Sequence, residues 1–176
     1  STNDPQGGKI EKDPRDGEPT GILKDAAIDL VSKIIPEPGV QTKKKAVLRA
    51  VEHALSLGVT SVHDMAYSTK NFDVYMELLQ EGNLNIRIYL YIPVAAIDRF
   101  REMAAKVPSE NKVLKLGGLK GFVDGALGAS TALFFEPYRD NPDESGILLS
   151  DMYPDGIMEK RLFQADDAGL RVAVHA

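Results

Sequence analysis

The sequence predicts an α/β fold: a partial TIM-type (β/α) barrel of about four βα units, preceded by an irregular N-terminal arm. From residue 43 onward, helical and strand patterns alternate four times with short links, and parallel strands need such crossover helices. Strands of a parallel sheet with crossover helices face the core on both sides. A closed eight-stranded barrel takes about 250 residues. The units present therefore predict about half a barrel.

The first segment, residues 1–42, is rich in turn-forming residues and is predicted to be an irregular arm or an insertion. Within it, residues 9–12 followed by Asp16-Gly17 are predicted to form one arm of a hairpin. The apolar spacing in residues 24–35 predicts a short helix that ends before Pro36. We therefore divide the chain into this arm, residues 1–42, and a partial barrel, residues 43–176.

Four helix–strand pairs make up the predicted barrel. Thr42 is the predicted N-cap of the first helix, and Gly58 ends it. The later helices span about 72–79, 95–107 and 156–168, and the strands span about 59–65, 86–92, 116–123 and 170–175. Because the last strand ends the sequence at a buried-type apolar run, we expect the chain to be a fragment of a longer protein.

Composition excludes several classes of function. The chain is 43% hydrophobic and 27% charged, as expected of a folded globular protein. A net charge of -5 argues against nucleic-acid binding, which requires a basic surface. No apolar run approaches the ~20 residues of a membrane span, and the first residues do not resemble a signal peptide. We expect no nucleic-acid partner, no membrane association and a cytoplasmic location.

Candidate functional residues stand where the predicted strands end, which is where barrels of this type carry their sites. The strand over 59–65 ends in His63-Asp64, and the strand over 170–175 ends in His175. Neutral imidazole is the commonest metal-ligating side chain. With no cysteine in the chain, any metal must be held by His, Asp, Glu or modified Lys. His175 is the stronger candidate, because His63-Asp64 could equally line a pocket or cap the next helix.

Lys120 lies within the predicted strand over 116–123, where a charged lysine must be paired, deprotonated or modified. A deprotonated amine could form a Schiff base or take up carbon dioxide as a carbamate. A lysine whose charge reaches solvent at a sheet edge is the structural alternative, and Lys115 is a second candidate. The loop that begins at Asp124-Gly125 is punctuated by glycines, which permit close approach of the backbone to a ligand.

Several of these motifs together resemble the amidohydrolase superfamily, and more narrowly the branch that includes N-substituted formamide deformylases. The matching segments are residues 17–21, 58–64, 118–128, 131–132, 137–138 and 172–176. They cover most of the chain and are specific as a set. The branch often has Ser and Arg where this chain has Ala126 and Ser130, which leaves the substrate class open.

The resemblance implies a distorted TIM barrel that binds one or two divalent ions, with zinc as the expected metal. It implies that Lys120 is a metal ligand, carboxylated in many members, and that His175 is a second ligand. From their positions at the ends of the predicted strands, His63, Asp64, Asp124 and Gly125 are the candidate substrate-pocket residues. The family's His-x-His pair is expected upstream of Ser1, and a further histidine and the catalytic aspartate downstream of Ala176. No catalytic residue is therefore assigned within the chain, and the fragment is expected to be inactive alone.

The implied reaction is hydrolysis of an amide-type C–N bond in a small-molecule substrate by metal-activated water. Two alternatives remain open at this point. Lys120 could be the Schiff-base lysine of an aldolase-type barrel. The chain could instead be a non-catalytic half-barrel that forms homo-oligomers through its open sheet edges.

Overall fold

The computed structural model describes residues 2–65 and 68–176, which fall into two compact units. We call the first the hairpin unit; it comprises Ser1–Pro36, Phe122–Lys160 and Val174–Ala176. We call the second the sheet unit; it comprises Glu37–Gly121 and Arg161–Ala173. Each unit is described by itself.

The hairpin unit begins with two antiparallel strands, β1 (Gly8–Lys12) and β2 (Pro19–Asp25). The predicted hairpin is therefore confirmed. A 3₁₀ turn over Ala26–Ile28 and a one-turn helix, α1 (Asp29–Ser32), follow. The helix predicted over 24–35 is shorter than expected, because pairing with β1 extends β2 as far as Asp25.

The sheet unit contains alternating helices and strands. In chain order these are α2 (Val40–Ser56), β3 (Ser61–Met65), α3 (Asn71–Gln80), β4 (Arg87–Pro93), α4 (Ile97–Lys106) and β5 (Leu114–Phe122, whose last residue belongs to the hairpin unit). After a long loop the chain forms α5 (Ile157–Asp167) and β6 (Val172–His175). The strand order is β3-β4-β5-β6, and the β3–β4 and β4–β5 pairs are parallel. The predicted α/β class and the four consecutive helix–strand units are confirmed.

The core of the sheet unit explains why most residues of β4 are apolar. Leu90, Tyr91 and Ile92 are consecutive residues of β4, and all three are buried. Since neighbouring side chains of a strand point to opposite faces, β4 is covered on both sides. Leu78 of α3 and Leu119 of β5 are fully buried in the same unit. This is the environment expected of a parallel strand with helical crossovers.

A bulge shifts the second half of β5. Leu90 pairs with Leu116, but Tyr91 pairs with Gly118, so the register slips by one residue. A side chain on Gly118 would come within 2.3 Å of the Arg171 carbonyl oxygen, which explains the glycine. Because a one-residue slip exchanges the two faces of a strand, the bulge sets which side chains of β5 share a face beyond this point.

The arm and barrel boundary between residues 42 and 43 stays a prediction. Among the described residues, no helix is both long enough and apolar enough to cross a membrane.

Candidate functional site

Asp124 is the buried carboxylate that follows β5. Its exposure is only 6%, and its Oδ2 atom accepts a hydrogen bond from the Leu133 backbone N–H at 2.8 Å. An antiparallel bridge between Asp124 and Leu148 fixes the local backbone. The Oδ1 atom is buried but makes no hydrogen bond within the described residues. A buried polar atom without a partner is uncommon in folded proteins and calls for a physical explanation.

The loop after Asp124 is closed on itself by Thr131, which is 1% exposed. Thr131 accepts hydrogen bonds at its carbonyl oxygen from the Gly125 N–H, 3.1 Å, and at its Oγ1 from the Ala126 N–H, 3.0 Å. A Cβ atom on Gly125 would fall 2.1 Å from the Thr131 Oγ1. Gly125 therefore has a packing role in the structure, and its place in a substrate pocket stays a prediction.

His175 lies at the carboxyl end of β6, where its backbone carbonyl accepts the Val123 N–H at 2.8 Å. Its Nε2 atom is 2.8 Å from the Gly125 carbonyl oxygen and 3.8 Å from the Asp124 Oδ1. A carbonyl oxygen can only accept, so this geometry assigns the proton to Nε2. The lone pair of the neutral ring is then on Nδ1. With its side chain 47% exposed, His175 retains a nitrogen able to bind a metal.

Lys120 belongs to the sheet unit and is half-buried on β5. Its Nζ donates a hydrogen bond to the Gly121 carbonyl oxygen at 3.1 Å. Lys115, the other candidate on this strand, is exposed. The partial burial of Lys120 distinguishes it from Lys115, although neither its role as a ligand nor its carboxylation is tested by this contact.

His63 and Asp64 lie on β3, and both have partners in the sheet unit. The Asp64 Oδ2 accepts the Tyr75 hydroxyl at 2.7 Å. Burial, and secondly this hydrogen bond, raise the pKa of the Tyr75 phenol above its usual range. The His63 ring stacks on Tyr89 and Tyr91, with centroid distances of 5.1 and 5.7 Å. These contacts account for both residues structurally, and their place in a substrate pocket stays a prediction.

The donor atoms near His175 fit part of a metal site. The imidazole of His175, with a free lone pair on Nδ1, is suitable for a divalent ion of the zinc type, whereas the Asp124 Oδ1 lies beside Nε2, the protonated nitrogen of the ring. Within residues 2–65 and 68–176, no group of three or more His, Cys, Asp or Glu side chains is close enough to hold a metal. The described residues therefore offer donors, but not a complete ligand set.

Sequence reasoning missed the closeness of Asp124 and His175, as well as the role of Thr131. One signal for the first was present, because the carboxyl ends of parallel strands meet at one edge of a sheet. Asp124 follows one such strand, and His175 ends another. The second had no sequence signal, since a buried threonine is recognised only from its packing.

Comparisons with known proteins give one family match and several similar proteins. The model of the Amidohydrolase family matches residues 1–176. Protein LONG AFTER FAR-RED 3 of Arabidopsis thaliana is 38% identical over 99% of this chain, and Putative amidohydrolase YtcJ of Bacillus subtilis (strain 168) is 33% identical over 100% of it. The chain spans only 31% and 33% of the lengths of these two relatives.

Two crystal structures are similar in fold as well as in sequence. Both are of uncharacterized metal-dependent hydrolases, one from Pyrococcus furiosus and one from Pyrococcus horikoshii OT3. Their TM-scores are 0.72 and 0.73, with 36% and 32% identity over 95% of this chain and over 35% and 34% of theirs. Together with the family match over its whole length, this likeness shows that the chain belongs to the amidohydrolase family.

Proposed function

We propose that these residues form part of a metal-dependent hydrolase that cleaves an amide-type C–N bond, with Lys120 and His175 among the metal ligands. The observation that carries the proposal is the hydrogen bonding of the His175 imidazole. Its Nε2 is hydrogen-bonded to the Gly125 carbonyl oxygen, which leaves Nδ1 with a lone pair at the end of a β-strand. Two similar proteins of known structure are described as metal-dependent hydrolases, which supports the same class here.

A divalent ion, with zinc as the expected one and one or two ions per site, would supply a water molecule of lowered pKa and polarise the substrate carbonyl. The residues of this chain would supply ligands that hold the ion in place. His175 would donate its Nδ1 lone pair, and Lys120 would act as a carbamate, since an ammonium group has no lone pair to offer. The half-buried position of Lys120 on β5, in contrast to the exposed Lys115, supports this assignment.

The proposal concerns a protein of the length of its relatives, of which this chain spans about a third. We infer that the remaining ligands and the catalytic aspartate come from residues outside these 176, and that the whole domain is a TIM-type barrel. The 176 residues alone would then bind metal weakly and be inactive. Near-stoichiometric metal in the purified 176-residue chain would contradict this part.

The proposed substrate is a small molecule, held near His63, Asp64, Asp124 and Gly125. Homo-oligomers through the outer strands of the sheet are a further proposal for the isolated chain, since β3 and β6 each have a neighbour on only one side in the strand order. Light scattering of the purified chain checks this, and a stable monomer would reject it.

The experiment that tests the function combines metal analysis with hydrolysis assays on the protein that contains these residues. The expected result is bound divalent metal, together with hydrolysis of N-acyl or formamide-type substrates that a chelator removes and the metal restores. Hydrolysis that persists in fully metal-free protein would overturn the proposal. Borohydride trapping with carbonyl compounds tests the Schiff-base alternative, and covalent labelling of Lys120 would favour it.

A further inference from the structure

We propose that Asp124 is a positioning residue that holds His175 in the tautomer with its proton on Nε2, and so keeps Nδ1 available to a metal. The proposal rests on the proposed role of His175 as a ligand. It starts from the buried Asp124 Oδ1, which lacks a hydrogen bond within the described residues and lies 3.8 Å from the His175 Nε2.

The position of the Asp124 carboxylate is fixed independently of His175. Its Oδ2 accepts the Leu133 N–H at 2.8 Å, and its backbone bridges to Leu148. Thr131, which is fully buried, closes the same loop through the Gly125 N–H. With one oxygen bound to the backbone, the other has little freedom to turn away from the imidazole.

The carboxylate acts on the ring by its charge. At 3.8 Å the Oδ1–Nε2 separation is too long for a direct hydrogen bond, whereas the Gly125 carbonyl oxygen is within range at 2.8 Å. A negative charge in a buried site attracts the nearest N–H dipole more strongly than it would in water. Asp124 therefore adds to the preference of Gly125 for a proton on Nε2.

The same arrangement makes the other ring nitrogen, Nδ1, a better metal ligand. A metal-binding histidine usually donates its second N–H to a carboxylate or a carbonyl group, which fixes the tautomer and raises the basicity of the ligating atom. Here the Gly125 carbonyl makes the direct contact and Asp124 is the charged group behind it. The expected consequence is that Nδ1 already carries an available lone pair in the metal-free protein.

The substitution Asp124→Asn distinguishes a positioning role of Asp124 from a role in packing alone. The Leu133 N–H requires an oxygen at the place of Oδ2, so the amide NH₂ must take the place of Oδ1 and face Nε2. That group is a donor and disfavours a proton on Nε2. Asp143→Asn is the matched control, because Asp143 is an exposed carboxylate in the same loop.

The readout is the tautomer of His175, measured by ¹⁵N NMR of histidine-labelled, metal-free protein at a pH where the ring is neutral. The resonances of His175 are identified by their loss in His175→Gln. We expect the Nε2–H form in the wild type and in Asp143→Asn, and a shift toward the Nδ1–H form in Asp124→Asn. Wild-type spectra that show Nδ1–H, or an Asp124→Asn spectrum identical to the wild type, would overturn the proposal.

A second variant and a second readout guard against misfolding and separate this proposal from the proposed function. Asp124→Ala removes the carboxylate without placing a donor at the position of Oδ1, and should give a smaller shift than Asp124→Asn, with circular dichroism checking that each variant folds. Metal titration of the same proteins should show about 10- to 100-fold weaker binding in Asp124→Asn. If the wild-type form of the protein that contains these residues binds no metal, the proposed function alone is contradicted. Weaker metal binding with an unchanged tautomer would instead make Asp124 a direct ligand and overturn positioning.

Discussion

The molecule contains two histidine–aspartate pairs at strand ends, and they differ in how far their polar atoms are used. In the sheet unit, Asp64 accepts the Tyr75 hydroxyl and the His63 ring stacks on tyrosines of β4. In the hairpin unit, the Asp124 Oδ1 makes no hydrogen bond within the described residues, and the imidazole of His175 keeps a lone pair on Nδ1.

The comparison shows why residue type at a strand end is insufficient to assign a function. His63 and Asp64 contact tyrosine side chains of the sheet unit, and these contacts account for their positions. Asp124 is buried with one atom unused, which a purely structural site would not favour because an unpaired buried acceptor costs about 1–3 kcal/mol. We therefore propose a chemical role for Asp124 and His175, the pair whose polar atoms lack some of their hydrogen-bond partners.

The largest effect is expected from Lys120→Met in the protein that contains these residues. Removal of a proposed ligand should weaken metal binding by more than about 100-fold, the upper end of what substitutions outside the ligand shell cause. Lys115→Met is the matched control, because Lys115 lies exposed on the same strand. Metal titration of both variants checks this, and equal affinities would remove Lys120 from the site.

Substitutions of Asp124 and Asp64 should differ in their effect on metal binding, and both effects should be smaller than that of Lys120→Met. Asp124→Asn should weaken binding by about 10- to 100-fold, while Asp64→Asn should leave it unchanged, since Asp64 is already engaged by Tyr75. Isothermal titration with Zn²⁺ on matched preparations measures both. A larger loss in Asp64→Asn than in Asp124→Asn would reverse the comparison.

Tyr75→Phe should affect stability. The change removes the donor to Asp64 and leaves a half-buried carboxylate oxygen without it, so the free energy of unfolding should fall by about 1 kcal/mol. Urea denaturation followed by circular dichroism measures the difference. Tyr138→Phe, which removes a hydroxyl donor to the Ala132 carbonyl in the hairpin unit, is the matched control for loss of a single hydroxyl.

The smallest effect concerns the pH dependence of stability. Because the folded-state pKa of Tyr75 is raised above its ordinary value of 10.0, its contribution to stability is fully present below pH 10 and is lost as the pH rises further. The free energy of unfolding should therefore decrease above pH 10, and less steeply in Tyr75→Phe. Parallel slopes for the two proteins would show that Tyr75 is not the source.

Much of the fold could be predicted from the sequence, because strand patterns alternate with helical patterns that stop at a glycine or a proline. The bounds of β4, predicted as 86–92, differ by one residue at each end from Arg87–Pro93. The helix predicted over 24–35 was too long, since its pattern does not show that residues up to Asp25 pair with β1. Long-range pairing of this kind is not encoded in local periodicity.

The candidate site was less accessible to prediction than the fold. His175 could be selected because an imidazole at the end of an apolar strand is unusual. The sequence could not show that Asp124 lies 3.8 Å from its Nε2, or that Tyr75 engages Asp64. Both are contacts between side chains that are separated along the chain. Burial and unsatisfied hydrogen bonds, which distinguish the two pairs, exist only in the folded molecule.

The most direct test of the central claim is the metal content of the protein that contains these residues, purified with either histidine replaced. Elemental analysis should compare His175→Gln, His63→Gln and the wild type, each expressed in zinc-supplemented medium and checked for folding. We predict that His63→Gln retains the metal content of the wild type and that His175→Gln loses most of it. Wild-type metal content in His175→Gln would contradict the assignment of His175 as a ligand.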